Sequence, residues 1–294
     1  MRITNSMIAR NLLDNIQKNQ EGMNTSREEV STGKKIQEPS DNPVNYSKSA
    51  RFRNTINKNQ QYLSTLESSI GWIQTSTEVL DQMADRLLDA KDIATRAADL
   101  STNDDSSRAT MSDQVDDIIE EMVSLGNSTH LDKYLFAGNN TKGQKPFYYN
   151  GNTVQYGGND KKLYRKAAEN FNVAINIEGS QFMEHDIFAS LENLKNALDN
   201  GNKQGINESI GNLKDSADQV AAMNTAMGSL HNQLSTTKHR LETTNLNLKS
   251  YLSNNEDADM AEAITQYNAQ ETAYKAALQA TSDALSLNIL NFIR

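Results

Sequence analysis

The chain has 294 residues, of which 36% are hydrophobic and 6% aromatic, and it carries a formal net charge of −9. A composition so poor in aromatic residues favours long helices packed along narrow seams over a thick globular core. The acidic balance argues against nucleic-acid binding, which needs a basic face, and the lack of cysteine excludes disulfides and thiolate metal sites.

The first predicted element is a helix from about Ser6 to Thr32. It ends at Gly33, a residue type that accepts the left-handed conformation found after helix C-termini. Its apolar and small residues recur with alternating spacings of four and three, which is the pattern of a heptad seam. The seam residues that we expect to serve assembly are Leu12, Ile16, Met23 and Val30.

A hinge with the sequence STGKKIQEPSDNP follows, from Ser31 to Pro43. Pro39 and Pro43 each bias the preceding residue away from helix. Two interpretations stay open at this stage: a loose linker, or a specific loop that docks on neighbouring elements. The hinge residues that we single out are Gly33, Pro39, Asp41 and Pro43.

A second seam predicts a helix from Tyr46 to about Leu100, some 55 residues and about 80 Å long, in which Gly71 permits a local break. Asn103 to Asp105 then supply a turn and an N-cap for a shorter helix that ends near Gly126. The last long seam runs from Ile206 to Leu252. Residues 45–135 and 202–254 are therefore predicted to form a helical rod domain.

Between the two halves of the rod the character of the sequence changes. Two β-rich runs flank Asn150-Gly151, a strong hairpin signal. Phe171 to Ile177 alternates apolar and polar residues as a half-buried strand does, and a short helix is expected from Asp186 to Leu198. We therefore predict a small β-rich domain inserted at residues 136–201.

The chain closes on a heptad seam from Asp257 to Arg294 that contains neither proline nor glycine. We expect the two terminal helices to pack on each other or on another subunit, so that residues 1–44 and 255–294 form a terminal coiled-coil domain. The predicted fold is thus mainly α, a nested helical rod built from both chain ends. The C-terminal residues expected to serve assembly are Ile264, Tyr267, Tyr274, Leu278, Leu285 and Phe292.

The seams contain several asparagines at positions that are otherwise apolar. A buried asparagine fixes register and partner in a coiled coil at a cost in stability. The alternative is that these turns lie near solvent, and the residues alone do not decide between the two. The asparagines are Asn19, Asn59, Asn224, Asn245 and Asn288.

Signals for catalysis are weak. The four histidines are scattered without metal-ligand spacing, and a packed or hydrogen-bonded role is the expected one for His231. Gly138 and Gly143 have the spacing of P-loop glycines, but Gln144 stands where the phosphate-binding lysine is required. We expect neither an enzyme nor a bound metal or cofactor. Nor do we expect a cleaved signal peptide or a membrane-inserted segment, since no suitable apolar stretch is present.

Three motifs resemble the bacterial flagellin superfamily: MRITNSMIARNLLDNI at the start, STGKKIQEPSDNP at the hinge, and QETAYKAALQATSDALSLNILNFIR at the end. Flagellins typically follow the STG turn with an alanine- and aspartate-rich run. Residues Glu38 to Pro43 instead resemble the form found in the hook–filament junction proteins of this superfamily. The resemblance is specific over residues 1–60 and 250–294 and says nothing about the insert.

The resemblance implies a structural axial component of the flagellum, with termini that are disordered in the free monomer and fold on assembly. It implies unfolded passage through the flagellar type III export apparatus, an extracellular location, and an export chaperone bound to the C-terminal seam. The implied partners are other copies in a ring, flagellin and the preceding hook-associated protein. The alternatives are a short flagellin that forms the filament itself and, in another class, a cytoplasmic coiled-coil signalling module.

Overall fold

In the computed structural model, residues 5–99 and 105–292 are described, with only the backbone described for residues 5, 6, 8, 9 and 284–292. The expected mainly α architecture with a small β-rich region is confirmed. The helices are α1 (Asn5–Thr32), α2 (Pro43–Asp99), α3 (Asp105–Gly126), α4 (Ser180–Glu184), α5 (Ile187–Asp199), α6 (Lys203–Glu256) and α7 (Met260–Phe292).

The chain divides into two compact units. The end unit comprises residues 1–58 and 244–294, and the middle unit comprises residues 59–243. α2 and α6 each contribute to both. The finer division into terminal, rod and insert domains stays a prediction.

α2 begins where its sequence dictates. The side chain of Asn42 accepts the backbone N–H of Asn45 at 3.0 Å, which caps the helix, and Pro43 occupies the first helical position, where its missing N–H costs nothing. The break allowed for at Gly71 does not occur, and the helix is continuous to Asp99. The turn predicted around Asn103 lies outside the described residues.

The core of the middle unit is a set of helices packed along the predicted seams. α3 packs on α5, and α2 and α6 contribute their apolar stripes to the same core. The fully buried residues that continue the three-four spacing are Leu66, Ile73, Leu80 and Leu87 of α2, Val115 and Met122 of α3, and Ile206, Leu213 and Val220 of α6. Because these stripes are narrow, the opposite faces of the helices remain polar and exposed.

The β structure consists of three separate antiparallel hairpins. The strands are β1 (Thr129–His130), β2 (Lys133–Tyr134), β3 (Phe147–Tyr149), β4 (Val154–Tyr156), β5 (Tyr164–Ala168) and β6 (Phe171–Ala174). The hairpin predicted at Asn150-Gly151 is confirmed as β3–β4, with a φ of 89° at Gly151. β1, β2 and β5 were not predicted, and β6 ends at Ala174 rather than at Ile177.

A small polar cluster attaches the β3–β4 hairpin to the helices. The Lys195 ammonium on α5 donates to the Asp116 carboxylate of α3 at 2.6 Å and to the Gly151 carbonyl at 2.9 Å. The Tyr149 hydroxyl also donates to Asp116. Burial alone would raise the pKa of Asp116, but the hydrogen bonds from Lys195 and Tyr149 outweigh it and lower the pKa.

Candidate assembly site

The α6–α7 junction in the end unit is organised around one buried carboxylate. The Glu256 side chain, 4% exposed, lies 2.9 Å from the Lys34 ammonium and also contacts the Arg53 guanidinium. Lys34 follows α1 and Arg53 lies on α2, so a single acid joins three segments that are far apart in sequence. Removing one partner of a buried ion pair is strongly destabilising, because the remaining charge is left without compensation.

Backbone hydrogen bonds reinforce this junction. The N–H of Lys35 donates to the Glu256 carbonyl at 2.8 Å, and the N–H of Ala258 donates to the Gly33 carbonyl at 2.8 Å. Gly33 has a φ of 69°, the left-handed conformation expected for a residue that ends a helix. The residues after α1 therefore form an isolated antiparallel bridge with the turn between α6 and α7, through Lys34 and Asp257.

The hinge is an ordered loop. The Asp41 carboxylate accepts the backbone N–H groups of Gln37 and Glu38, both at 2.9 Å. These two hydrogen bonds lower the pKa of Asp41, because they stabilise the charged form. Ile36 is buried, whereas Pro39 is exposed. Of the two interpretations left open by the sequence, the structure shows the docked loop.

The start of α2 is bound to the end of α6 by a separate contact. The Asn255 amide donates to the Asn45 carbonyl and to the Ser49 hydroxyl, both at 2.8 Å. Asp259 then caps α7 by accepting the N–H of Ala261 at 2.9 Å. The turn between α6 and α7 is therefore fixed by the contact with α2 at its start and by the cap of α7 at its end.

The terminal helices α1 and α7 pack on each other in the end unit. The bridge at Lys34 and Asp257 and the contact of Gly22 with the Gln270 side chain make the pair antiparallel. All four predicted α1 seam residues, Leu12, Ile16, Met23 and Val30, are half-buried. The pair is thin, since the described side chains that it buries fully are those of Ser26 and Ala263.

The predicted C-terminal seam residues are divided by this packing. Tyr267 and Tyr274 are half-buried, while Ile264 and Leu278 are 46% and 43% exposed. Within residues 260–283 of α7, the residues with reduced exposure that repeat at a spacing of four and three are Ala263, Tyr267, Gln270, Tyr274, Ala277 and Thr281, and Glu271 is also half-buried. Ile264 and Leu278 belong to the adjoining stripe. The side chains of Leu285 and Phe292 lie outside the described part of the structure.

Sequence reasoning missed the residues that hold the junction together, above all Glu256, Lys34, Arg53 and Asn255. The usable signal was the run SNNEDAD, Ser253 to Asp259, whose polar residues interrupt two apolar seams and mark a turn.

Among residues 5–99 and 105–292, no helix has the length and apolar character needed to cross a membrane. Within the same ranges, no cluster of three or more His, Cys, Asp or Glu side chains is arranged to hold a metal ion.

Taken together, these features define an α-helical protein in which antiparallel terminal helices flank a hairpin-bearing middle segment in the sequence. The family profile of the bacterial flagellin N-terminal helical region matches residues 3–141, and that of the flagellin C-terminal helical region matches residues 210–293. The chain belongs to the bacterial flagellin superfamily.

Individual relatives agree with this assignment. The chain is 23% identical to flagellar hook-associated protein 3 of Salmonella typhimurium over 321 aligned residues, covering 100% of both chains. It is 22% identical to a flagellin of Bacillus subtilis over an alignment that also covers 100% of both. The crystal structure of the flagellar junction protein FlgL from Legionella pneumophila matches the fold with a TM-score of 0.58 at 11% identity, covering 73% of this chain and 100% of that one.

Proposed function

We propose that this chain is a structural axial subunit of the bacterial flagellum, of the hook-associated protein 3 type, that joins the hook to the flagellin filament. Full-length similarity to a hook-associated protein 3 supports this role, as does the fold match to a junction protein. The Glu38–Pro43 sequence of the ordered hinge loop is the feature that favours a junction protein over a flagellin. In this role the chain acts through contacts between subunits rather than through catalysis.

The observation that carries the proposal is the presence of two stripes on α7, of which α1 covers one. Met260, Ile264 and Leu278 repeat along one face of the helix and are 41%, 46% and 43% exposed. Large side chains that repeat on one exposed helical face favour an interaction site. Neighbouring copies pack against this exposed stripe of α7. Residues 1–44 and 255–294 therefore act as the assembly domain.

Assembly also explains why the α1–α7 helix pair buries so few of its side chains. A helix pair that leaves most of its seam half-exposed gains little hydrophobic free energy against the entropy of ordering two long segments. In the proposed role the terminal segments unfold in the free subunit and order when neighbours add buried area. The middle unit has its own buried core and keeps its fold throughout.

The remaining partners follow from the same role. Subunits leave the cell unfolded through the flagellar type III export apparatus, without a cleaved signal peptide, and assemble outside as a ring that contacts flagellin and the preceding hook-associated protein. An export chaperone covers the α7 stripe before export, since an exposed apolar stripe promotes aggregation. Tyr267, Tyr274, Leu278, Leu285 and Phe292 are the proposed chaperone contacts.

The test compares two double variants in a strain that lacks the gene. Met260→Asp with Ile264→Asp places charges on the uncovered stripe at residues that are not among the proposed chaperone contacts. Thr265→Asp with Thr272→Asp places the same charges on exposed α7 residues outside the stripe. We expect the first variant to be secreted without retaining filaments on hooks, and the second to restore motility. Normal motility of the stripe variant would contradict the proposal.

A short flagellin is the second candidate, favoured by the full-length similarity to a Bacillus subtilis flagellin. Seeded polymerisation separates the two functions. A junction subunit added to hooks that carry the preceding hook-associated protein stops after a short ring, whereas a flagellin extends the seed into long filaments. A cytoplasmic signalling module would instead resist limited proteolysis at both ends of the free chain.

A further inference from the structure

The tip of the β1–β2 hairpin in the middle unit is unusual in two respects. Leu131 and Asp132 both have positive φ, 50° and 59°, which makes a tight turn of the type that favours asparagine and glycine. Leucine in this conformation is sterically strained. Its side chain is also 77% exposed. A residue that is both strained and apolar at a protruding tip points to a contact surface.

The tip is held at a fixed height along α2. The His130 imidazole, next to Leu131, packs over Gly71, and its Nδ1 lies 2.9 Å from the Thr75 hydroxyl. The same ring meets Trp72 edge-on, with the ring centroids 6.0 Å apart. Three contacts with one stretch of helix leave the hairpin little freedom to move along it.

A cleft lies at the same height in the middle unit, between the start of β6 and α6. It is lined by Phe171, Asn232, Gln233, Thr236, Thr237 and Arg240. Two contacts set its height: Gln74 lies 3.3 Å from His231, and Glu67 lies 3.0 Å from Lys238. Residues 67–74 of α2 therefore lie beside residues 231–238 of α6, level with Gly71.

The tip and the cleft are different surfaces of the middle unit. The β5–β6 hairpin, which contributes Phe171 to the cleft, approaches α2 at Tyr62, where the Lys166 ammonium stands 5.8 Å from the ring centroid. The β1–β2 hairpin approaches at Gly71. At 3.6 residues per turn, Gly71 and Thr75 point well away from Tyr62 around the helix, so the two hairpins approach α2 from different sides.

We propose that Leu131 and Asp132 of one copy insert into the Phe171 cleft of the neighbouring copy, with Leu131 on the ring and Asp132 facing Arg240. The acid at the tip and the base in the cleft have complementary charges. A head-to-tail contact repeated around an axis requires two different, complementary patches on each copy. The inference rests on the proposed function, because it names the lateral contact within the ring.

Cysteine cross-linking tests this contact, since the natural chain contains no cysteine. The probe is Leu131→Cys with Thr236→Cys in one chain, oxidised in intact flagella from a strain that lacks the gene. The matched control is Leu131→Cys with Lys214→Cys, an exposed α6 residue about 33 Å along the helix from Thr236. That distance exceeds the roughly 7 Å between Cα atoms that a disulfide spans.

A head-to-tail contact makes a specific prediction about the products. The double variant forms a ladder of cross-linked dimers, trimers and larger species, while a mixture of the two single variants forms dimers alone. Dimers from Leu131→Cys by itself would mean a symmetric contact and would overturn the proposal. So would a probe that cross-links no more than the Lys214 control in flagella of motile cells. If the wild-type chain is absent from flagella, the proposed function fails, and this inference fails with it.

A second variant keeps the test independent of folding. Leu131→Asn relieves the backbone strain, because asparagine tolerates positive φ. We expect the melting temperature of the free chain to rise by about 1–3 °C, while filament retention falls at least several-fold. A stabilised variant that assembles normally would show that the leucine has no contact role and would overturn the inference.

Discussion

Replacing Glu256 by glutamine tests whether one carboxylate holds the junction between the hinge and the α6–α7 turn. The side chain is 4% exposed and forms ion pairs with both Lys34 and Arg53. Breaking a fully buried pair costs about 3–5 kcal/mol. Both basic side chains are 40% exposed, however, so water compensates part of that cost. We therefore expect local opening to become easier by about 2 kcal/mol, or roughly 30-fold.

Amide hydrogen exchange in assembled subunits, in which the proposed role orders the terminal segments, measures this opening directly. The reporters are the N–H groups of Lys35 and Ala258, each in a 2.8 Å hydrogen bond across the junction. In Glu256→Gln both should exchange about 30-fold faster, while the matched variant Glu262→Gln, at an exposed position on α7, should leave them unchanged. Exchange within twofold of the natural chain in Glu256→Gln would refute the assignment.

Three further predictions concern the hinge and two helix glycines. Hydrogen bonds lower the pKa of Asp41, so its contribution to loop order should be complete above its ordinary pKa of 3.8 and lost as the pH falls through the lowered value. The solid-state NMR shifts of the loop amides in assembled subunits report this change. Gly126→Ala should lower the melting temperature, because its Cβ would lie 2.7 Å from the Phe147 ring, at a cost of about 1–3 kcal/mol. Gly211→Ala meets open space and should instead stabilise the helix by about 0.5–1 kcal/mol. An unshifted transition in Gly126→Ala, or no change of the amide shifts in acid, would contradict these assignments.

The long helices were predictable because their burial follows one repeating pattern. Leu66, Ile73 and Leu80 are fully buried at seven-residue intervals, and a stripe of that kind is visible in the sequence. The Asn150-Gly151 turn was predictable for a similar reason, since its local chemistry selects one backbone conformation.

The short hairpins and the polar junction were not predictable in this way. β1 and β2 have two residues each, too few to show a period, and their turn uses Leu131 where the sequence rules expect asparagine or glycine. Glu256 finds Lys34 and Arg53 across more than 200 residues, and no local pattern encodes so distant a partner. The division of the α7 seam into a covered and an uncovered stripe depended in the same way on how α1 packs.

The position of the subunit in the flagellum is the most direct test of the account. Antibodies raised against the middle unit should label intact flagella in a single band where the hook meets the filament. That result is expected of a junction subunit whose assembly stops after one ring. Label distributed along the whole filament would identify a flagellin, and label confined to the cell interior would contradict the axial role altogether.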